Sequence, residues 1–252
     1  MRIAVVVAVG LVLVGGLVLG VEARLARTAP GLPALTPLAL DTTIGNSAPA
    51  GGPLRMLWLG DSTAAGVGAS GPDGALPRQV ASRLGRPVQL TVLAISGDQV
   101  EDVIDKQLPK VASLDPDVVF LSIGANDVVH FTSKDSFTSR YRRLLDQLGT
   151  TPVIALGVPD MGAAPRFAQP LRAIAGWRGR ALDEVVGAVA KATGSAYVDI
   201  AGPTGPSFRA QPERFFSADD YHPSDEGYRR WADAVLELAR PAIGSAVETV
   251  PR

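Results

Sequence analysis

Hydrophobic positions from Leu54 onward fall into short continuous runs that are separated by amphipathic stretches. Continuous apolar runs of this length, without strict alternation, are typical of strands that are buried on both faces of a sheet. Five runs are therefore predicted to be strands: Met56–Gly60, Val88–Ala94, Asp117–Ile123, Pro152–Gly157 and Ala196–Ile200.

Between these runs, apolar residues recur at intervals of three and four, which is the period of an amphipathic helix. The predicted helical faces are Val100, Val103, Ile104, Leu108 and Val111; Phe137, Tyr141, Leu144, Leu145 and Leu148; Leu182, Val185, Val186 and Val189; and Tyr228, Trp231, Val235 and Leu238. We expect the last helix to begin after Ser224 and to end before Pro241. Alternating strands and helices predict a parallel sheet with helices on both sides.

A different pattern occupies the N-terminus, where Ile3 to Val21 is a run of 19 residues without a polar side chain. As a helix it would span about 28 Å, close to the hydrocarbon thickness of a bilayer. Two interpretations of residues 1–23 remain open: an uncleaved transmembrane anchor, or a signal peptide cleaved after Val21-Glu22-Ala23. Either one exports the rest of the chain, so we expect a protein that is membrane-anchored and faces outward, or is secreted.

The next segment, residues 24–53, is rich in proline and glycine and shows neither a helical nor a strand period. It is therefore predicted to be a linker, although its apolar piece Leu35–Leu40 is able to pack on the domain. The globular domain is predicted over residues 54–245, and residues 246–252 form a short tail.

Composition narrows the possible chemistry. The 252 residues include 24 basic and 25 acidic side chains, so a net charge of -1 gives no attraction to nucleic acid. The absence of cysteine excludes disulfides, thiolate metal sites and a cysteine nucleophile. With only His130 and His222 present, a histidine metal cluster is also improbable, and we expect neither a metal nor a cofactor.

Polar motifs follow the first three predicted strands, and the carboxyl ends of parallel strands are where sites form. Gly60-Asp61-Ser62-Thr63 places a serine where backbone N–H groups can face a developing anion. Ser96-Gly97-Asp98 allows the backbone to approach a ligand closely, and the amide of Asn126 in Gly124-Ala125-Asn126-Asp127 can donate to an oxyanion. Taken singly, each motif is also explained by an ordinary turn or helix cap.

The remaining motif, Asp219-Asp220-Tyr221-His222, comes directly before the last predicted helix. A carboxylate three residues before a histidine can accept a hydrogen bond from Nδ1, which turns Nε2 toward a nucleophile. His130 remains an alternative base, although no carboxylate stands at that spacing from it. All four motifs are predicted to meet at one edge of the sheet.

These blocks, Gly60-Asp61-Ser62, Gly97, Gly124-Ala125-Asn126-Asp127 and Asp219-x-x-His222, resemble the four signature blocks of the SGNH hydrolases, also called the GDSL esterase/lipase superfamily. The resemblance implies a three-layer α/β/α, flavodoxin-like fold and hydrolysis of esters or thioesters. It further implies Ser62 as nucleophile, His222 as general base and acid, and Asp219 as the residue that orients His222. The oxyanion hole would be formed by the backbone N–H groups of Ser62 and Gly97 and the side chain of Asn126.

Two other segments admit functional interpretations. Gly66-Val67-Gly68-Ala69-Ser70-Gly71 matches the dinucleotide fingerprint G-x-G-x-x-G, but it starts six residues after Gly60 and opens no predicted helix, so we interpret it as a flexible loop beside Ser62. The arginine-rich stretch Met161–Arg180 is either a solvated segment or a wall for an anionic or glycan group, with Trp177 available for stacking.

Three functions are therefore compatible with the sequence. The first is an esterase or lipase that acts on a small-molecule, lipid or glycan ester. The second is an acyltransferase or deacetylase that acts on an envelope glycan or lipid. The third is a binding module without activity, against which the complete set of Ser62, Asn126, Asp219 and His222 argues.

Overall fold

A computed structural model describes residues 15–17, 20–22, 24, 32, 42–45 and 52–248 of the chain. Over these residues it contains one sheet with the strand order β1-β3-β2-β4-β5-β6. The strands are β1 (Thr42–Ile44), β2 (Leu54–Gly60), β3 (Val88–Val92), β4 (Val118–Ser122), β5 (Val153–Leu156) and β6 (Ala196–Val198). Strands β2 to β6 run parallel, which confirms the predicted five-stranded parallel sheet, and β1 adds an antiparallel edge.

The helices flank this sheet in two layers. The helix Lys134–Leu148 packs on the helix Leu171–Thr193, and the helix Leu76–Ser82 packs on the helix Asp225–Glu248, so the three layers are α/β/α as expected. The bounds are α1 (Leu76–Ser82), α2 (Val100–Asp102), α3 (Val111–Leu114), α4 (Ala125–Val129), α5 (Lys134–Leu148), α6 (Leu171–Thr193), α7 (Ala201–Ala210), α8 (Pro212–Phe215) and α9 (Asp225–Glu248). Between α2 and α3 the chain continues through a π-helical turn, Val103–Gln107, and a 3-10 turn, Leu108–Lys110.

The two central strands, β2 and β4, form the middle of the core. Trp58 pairs with Phe120 in the strand register, and the two rings stack with their centroids 4.7 Å apart. Both side chains are fully buried, as are nearly all their neighbours on these strands. Burial on both faces explains why the strands appear in the sequence as continuous apolar runs.

Several boundaries differ from the sequence prediction. Thr42–Ile44 lies within the predicted linker but pairs with β3. The sequence did not indicate this strand, because three residues are too few to show a strand period. Helix α9 continues through Pro241 to Glu248 and so includes the first residues of the predicted tail. Proline removes one helical hydrogen bond, but Ala239 and Ile243 on either side are buried in the core and hold the turn.

The N-terminal prediction concerns residues that are mostly outside the described part of the chain. Residues 15–17, 20–22 and 24 are helical, whereas most of the segment 1–23 and all of Leu35–Leu40 lie outside the described residues, as does 249–252. No helix among the described residues is both long enough and apolar enough to span a bilayer.

The loop after Ser62, which was expected to be flexible, is packed against α9. Val67 and Ala69 are buried, and the hydroxyl of Tyr228 donates to the Val67 carbonyl oxygen at 2.6 Å. At the start of α9, Asp225 accepts a hydrogen bond from the backbone N–H of Ser70 at 2.8 Å. The fold therefore fixes the loop that follows the candidate nucleophile.

Tyr228→Phe tests this attachment. Removal of the hydroxyl leaves a buried carbonyl without its donor, so we expect a loss of about 1–3 kcal/mol in the free energy of unfolding. Tyr141→Phe is the matched control, because Tyr141 is equally buried and its hydroxyl bonds to no group among the described residues. Urea unfolding should give a clear loss for the first variant and little or none for the second; equal losses would contradict the proposed attachment.

Candidate active site

The predicted motifs meet at the carboxyl ends of the parallel strands. Ser62 follows β2, Gly97 follows β3 and Asn126 lies in α4 directly after β4. His222 and Asp219 lie in the segment that precedes α9. All five residues line a single open cleft with a volume of about 280 Å³.

A chain of hydrogen bonds joins three of these residues. The Oγ of Ser62 lies 3.0 Å from Nε2 of His222, and Nδ1 of His222 lies 2.6 Å from Oδ2 of Asp219. The serine and the histidine are 160 positions apart in the sequence. This is the geometry in which a histidine can take the proton of a serine hydroxyl while a carboxylate holds the ring in the required tautomer.

The carboxylate of Asp219 accepts further hydrogen bonds through Oδ1. The donors are the Ser217 hydroxyl at 2.9 Å and the backbone N–H groups of Tyr221 at 3.1 Å and His222 at 3.0 Å. Burial alone would raise the pKa of Asp219, but the bonds from His222 and Ser217 outweigh it and hold the pKa well below its usual range. Asp219 therefore stays ionised, and its own hydrogen bonds shape the turn that carries His222.

The turn that carries Ser62 depends on Gly60 and Asp61. Gly60 has φ +144, and a Cβ there would lie 1.9 Å from the carbonyl oxygen of Ser122, so only glycine fits. Asp61 is buried and accepts hydrogen bonds from the Thr63 backbone N–H at 2.9 Å and the Thr63 hydroxyl at 2.8 Å. Burial raises the pKa of Asp61 to about 6, although the two bonds from Thr63 oppose the rise.

The predicted oxyanion donors lie on the same cleft as Ser62. Gly97 has φ +92, a backbone conformation that other residues rarely adopt. The side-chain amide of Asn126 donates to the carbonyl oxygen of Asp98 at 2.9 Å, which fixes its orientation. Because an amide group carries two N–H donors, one donor of Asn126 remains for a ligand.

A residue that the sequence analysis missed, Gln107, connects the loops on either side of the cleft. It is fully buried, and its Oε1 accepts from the Gly60 N–H at 2.9 Å while its Nε2 donates to the Gly60 carbonyl at 2.8 Å. Nε2 also donates to Oδ2 of Asp98 at 2.9 Å. The sequence contained one signal, a polar residue three positions after Ile104 on a predicted apolar face.

His130 and Asp220 occupy different positions from His222 and Asp219. His130 is exposed at the rim of the cleft, where its Nδ1 bonds to the backbone oxygen of Asn126 at 2.8 Å. Among the described residues, the imidazole bonded to Ser62 is that of His222. Asp220 is exposed in a left-handed conformation with φ +57.

The arginine-rich segment Met161–Arg180 divides into two parts. Its first half contributes Arg166 and Phe167 to the cleft, and the Arg166 guanidinium donates to the backbone oxygen of Asp219 at 3.2 Å. Its second half belongs to α6, where Trp177 is 64% exposed and so is not a core residue.

Comparisons with known proteins show which family and which structures this chain is similar to. The model of the GDSL-like Lipase/Acylhydrolase family matches residues 58–230. The GDSL-like esterase Rv1075c of Mycobacterium tuberculosis is 33% identical over 199 residues, which cover 75% of this chain and 63% of that protein. This chain therefore spans less than two thirds of the length of that relative.

Two solved structures illustrate the similarity of the fold. The lipase/acylhydrolase from Enterococcus faecalis superposes with a TM-score of 0.61 at 20% identity, covering 75% of this chain and 96% of the other. Axe2, an acetylxylan esterase from Geobacillus stearothermophilus, gives a TM-score of 0.56 at 23% identity and covers 76% and 94%.

Asp61→Asn tests the buried carboxyl beside Ser62. An unfolded aspartate titrates at about pH 4, so the folded chain binds the Asp61 proton more tightly between about pH 4 and pH 6. The stability that this proton contributes is complete below about pH 4 and is lost as the pH rises through about 6. Asparagine keeps the acceptor for Thr63 but does not titrate.

Urea unfolding of wild type and Asp61→Asn across this range is the measurement. As the pH rises from about 4 to 7, the free energy of unfolding of the variant should increase relative to that of wild type by up to about 3 kcal/mol. A difference in unfolding free energy between the variant and wild type that stays constant with pH would contradict the raised pKa of Asp61.

Gly68→Ala tests how the loop after Ser62 positions the histidine. Gly68 has φ +97, and a Cβ there would lie 2.4 Å from the Pro223 carbonyl oxygen and 2.9 Å from Cβ of His222. We expect His222 to be displaced and the rate of any reaction that needs it to fall by about 10- to 100-fold. Gly71→Ala on the same loop meets no atom within 4 Å and should have no effect; a silent Gly68→Ala would contradict the role assigned to this contact.

Proposed function

Because the chain belongs to the GDSL-like Lipase/Acylhydrolase family, we propose that it hydrolyses carboxylic esters or thioesters with Ser62 as the nucleophile. The observation that carries the proposal is the hydrogen-bond chain from Ser62 through His222 to Asp219, with distances of 3.0 and 2.6 Å. A serine in such a chain is activated for attack on a carbonyl carbon. A protein that only binds a ligand would not need these hydrogen bonds between Ser62, His222 and Asp219.

In the first half of the reaction, Nε2 of His222 takes the proton of Ser62 while Oγ bonds to the carbonyl carbon. The carbonyl oxygen becomes an oxyanion, which accepts hydrogen bonds from the backbone N–H groups of Ser62 and Gly97 and from the Asn126 amide. His222 then gives its proton to the leaving atom, which is the alcohol oxygen of an ester or the thiol sulfur of a thioester. The bond from the carbonyl carbon to that atom breaks. Ser62 is left as an acyl ester.

In the second half, water takes the place of the alcohol. His222 removes a proton from the water, whose oxygen attacks the acyl carbon, and the same three donors stabilise the second oxyanion. Collapse returns the proton to Ser62 Oγ and releases the carboxylic acid. Throughout, ionised Asp219 stabilises the imidazolium and prevents the ring from turning.

We also propose that the domain acts outside the cytoplasm, on the basis of the apolar N-terminal segment. The 19-residue apolar run supports export of the domain, either retained on the outer face of the membrane by an anchor or released by cleavage. Substrates would then be esters that occur outside the cytoplasm.

Hydrolysis of p-nitrophenyl acetate by the full chain tests the proposed activity. We expect Ser62→Ala to lower kcat by at least about 10³-fold, because the attacking atom is lost. Asp219→Asn should lower kcat by about 10²- to 10⁴-fold, since the ring loses its orienting carboxylate.

Asp220→Asn is the matched control, because Asp220 is the neighbouring carboxylate, is exposed, and has a left-handed conformation that asparagine adopts readily. Its activity should equal that of wild type. Absence of turnover in wild type, or wild-type activity in Ser62→Ala, would refute the proposed function. Addition of an alcohol acceptor to the same assay separates an acyltransferase from a hydrolase, because a transferase would form the new ester.

A further inference from the structure

A second space, with a volume of about 40 Å³, lies against Ser62 and His222 and is more enclosed than the open cleft. Ser62 and His222 line both this inner cavity and the open cleft. The other walls of the inner cavity are largely apolar and come from several separate parts of the chain; they include Ala125, Met161, Ala163, Ala164, Phe208 and Trp231.

The two spaces suit different parts of an ester. The open cleft, at about 280 Å³, is lined by the oxyanion donors and by the polar side chains of His130 and Arg166. The inner cavity is smaller and apolar, and its wall residues Ala164, Phe208 and Trp231 are buried. During hydrolysis the alcohol must leave and water must enter, whereas the acyl group stays on the serine. The open cleft therefore fits the alcohol and the water, and the inner cavity fits the acyl chain.

We propose that the inner cavity is the acyl-binding pocket and that it limits the substrates to esters of short acids with up to about four carbons. This inference rests on the proposed function, because it assigns a substrate class to that same site. It predicts a selectivity that the reaction mechanism alone does not require.

The volume sets the limit on chain length. A group of the size of a water molecule requires roughly 10–15 Å³ of cavity volume, so the inner cavity of about 40 Å³ holds about three carbons of an acyl chain. With the carbonyl carbon at Ser62, three further carbons correspond to a butanoyl chain. Each methylene that moves from water into the apolar cavity should raise kcat/KM about fourfold, until the cavity is full.

Close packing around the cavity prevents it from simply expanding. The ring of Phe208 contacts the rings of Phe216 at 5.1 Å and Trp231 at 5.9 Å between centroids. On another side, the carboxylate of Asp160 forms an ion pair with Arg209 and lies next to Gly205, where a Cβ would meet it at 2.9 Å. A longer chain would have to displace aromatic rings or break this ion pair.

A series of p-nitrophenyl esters from acetate to decanoate tests the assignment with the full chain. We expect kcat/KM to rise from acetate to butanoate by up to about 16-fold and then to fall at hexanoate and beyond. Equal or rising rates from butanoate to decanoate would overturn the short-chain pocket while leaving the esterase intact. Failure of the esterase itself is a different result, namely no turnover of any ester.

Two substitutions change the size of the cavity in opposite directions. Ala164→Leu adds bulk inside it and should lower the butanoate-to-acetate ratio of kcat/KM by about 10-fold while acetate is still hydrolysed. Phe208→Leu removes ring volume and should raise the hexanoate-to-acetate ratio. Ala168→Leu is the matched control, because Ala168 lies exposed on the same segment as Ala164. Ratios that stay at wild-type values in both cavity variants, or that shift equally in the control, would overturn the proposal.

Discussion

The paired hydrogen bonds of the Asp219 carboxylate are the interaction on which the site depends. Oδ2 bonds to the ring of His222, and Oδ1 accepts hydrogen bonds from the backbone N–H and hydroxyl donors of the same turn. A buried carboxylate is costly without such partners, so the turn folds around the charge and the charge fixes the ring. The position of Nε2 against Ser62, which lies in the turn after the distant strand β2, is the result.

The sheet supplies the second constraint, because parallel strands bring their carboxyl ends to one edge. The backbone segments at that edge approach one another more closely than side chains allow, which is why Gly60 lies against Ser122 and Gly68 lies against His222. Gln107 then bonds Gly60, in the turn before Ser62, to Asp98 beside Gly97. Ser62, His222 and the loop of Gly97 are therefore held by backbone contacts as much as by their own side chains.

Local patterns made the strands and the four motifs predictable. The apolar runs of β2 and β4 and the spacing of Asp219 and His222 are contained within a few residues, so the sequence alone indicated them. The edge strand β1, the continuation of α9 through Pro241 and the bridging role of Gln107 depend on partners far away in the chain. The inner cavity was equally invisible, because its walls come from segments as distant as Ala125 and Trp231.

Covalent labelling tests the central claim, that His222 activates Ser62, most directly. Diethyl p-nitrophenyl phosphate transfers its diethylphosphoryl group to an activated serine oxygen with release of p-nitrophenolate, and peptide mass mapping locates the adduct. The account predicts one adduct, on Ser62 of the wild-type chain, and its loss or strong slowing in His222→Ala, where Ser62 is still present. An adduct on another residue, or labelling of His222→Ala at the wild-type rate, would contradict it.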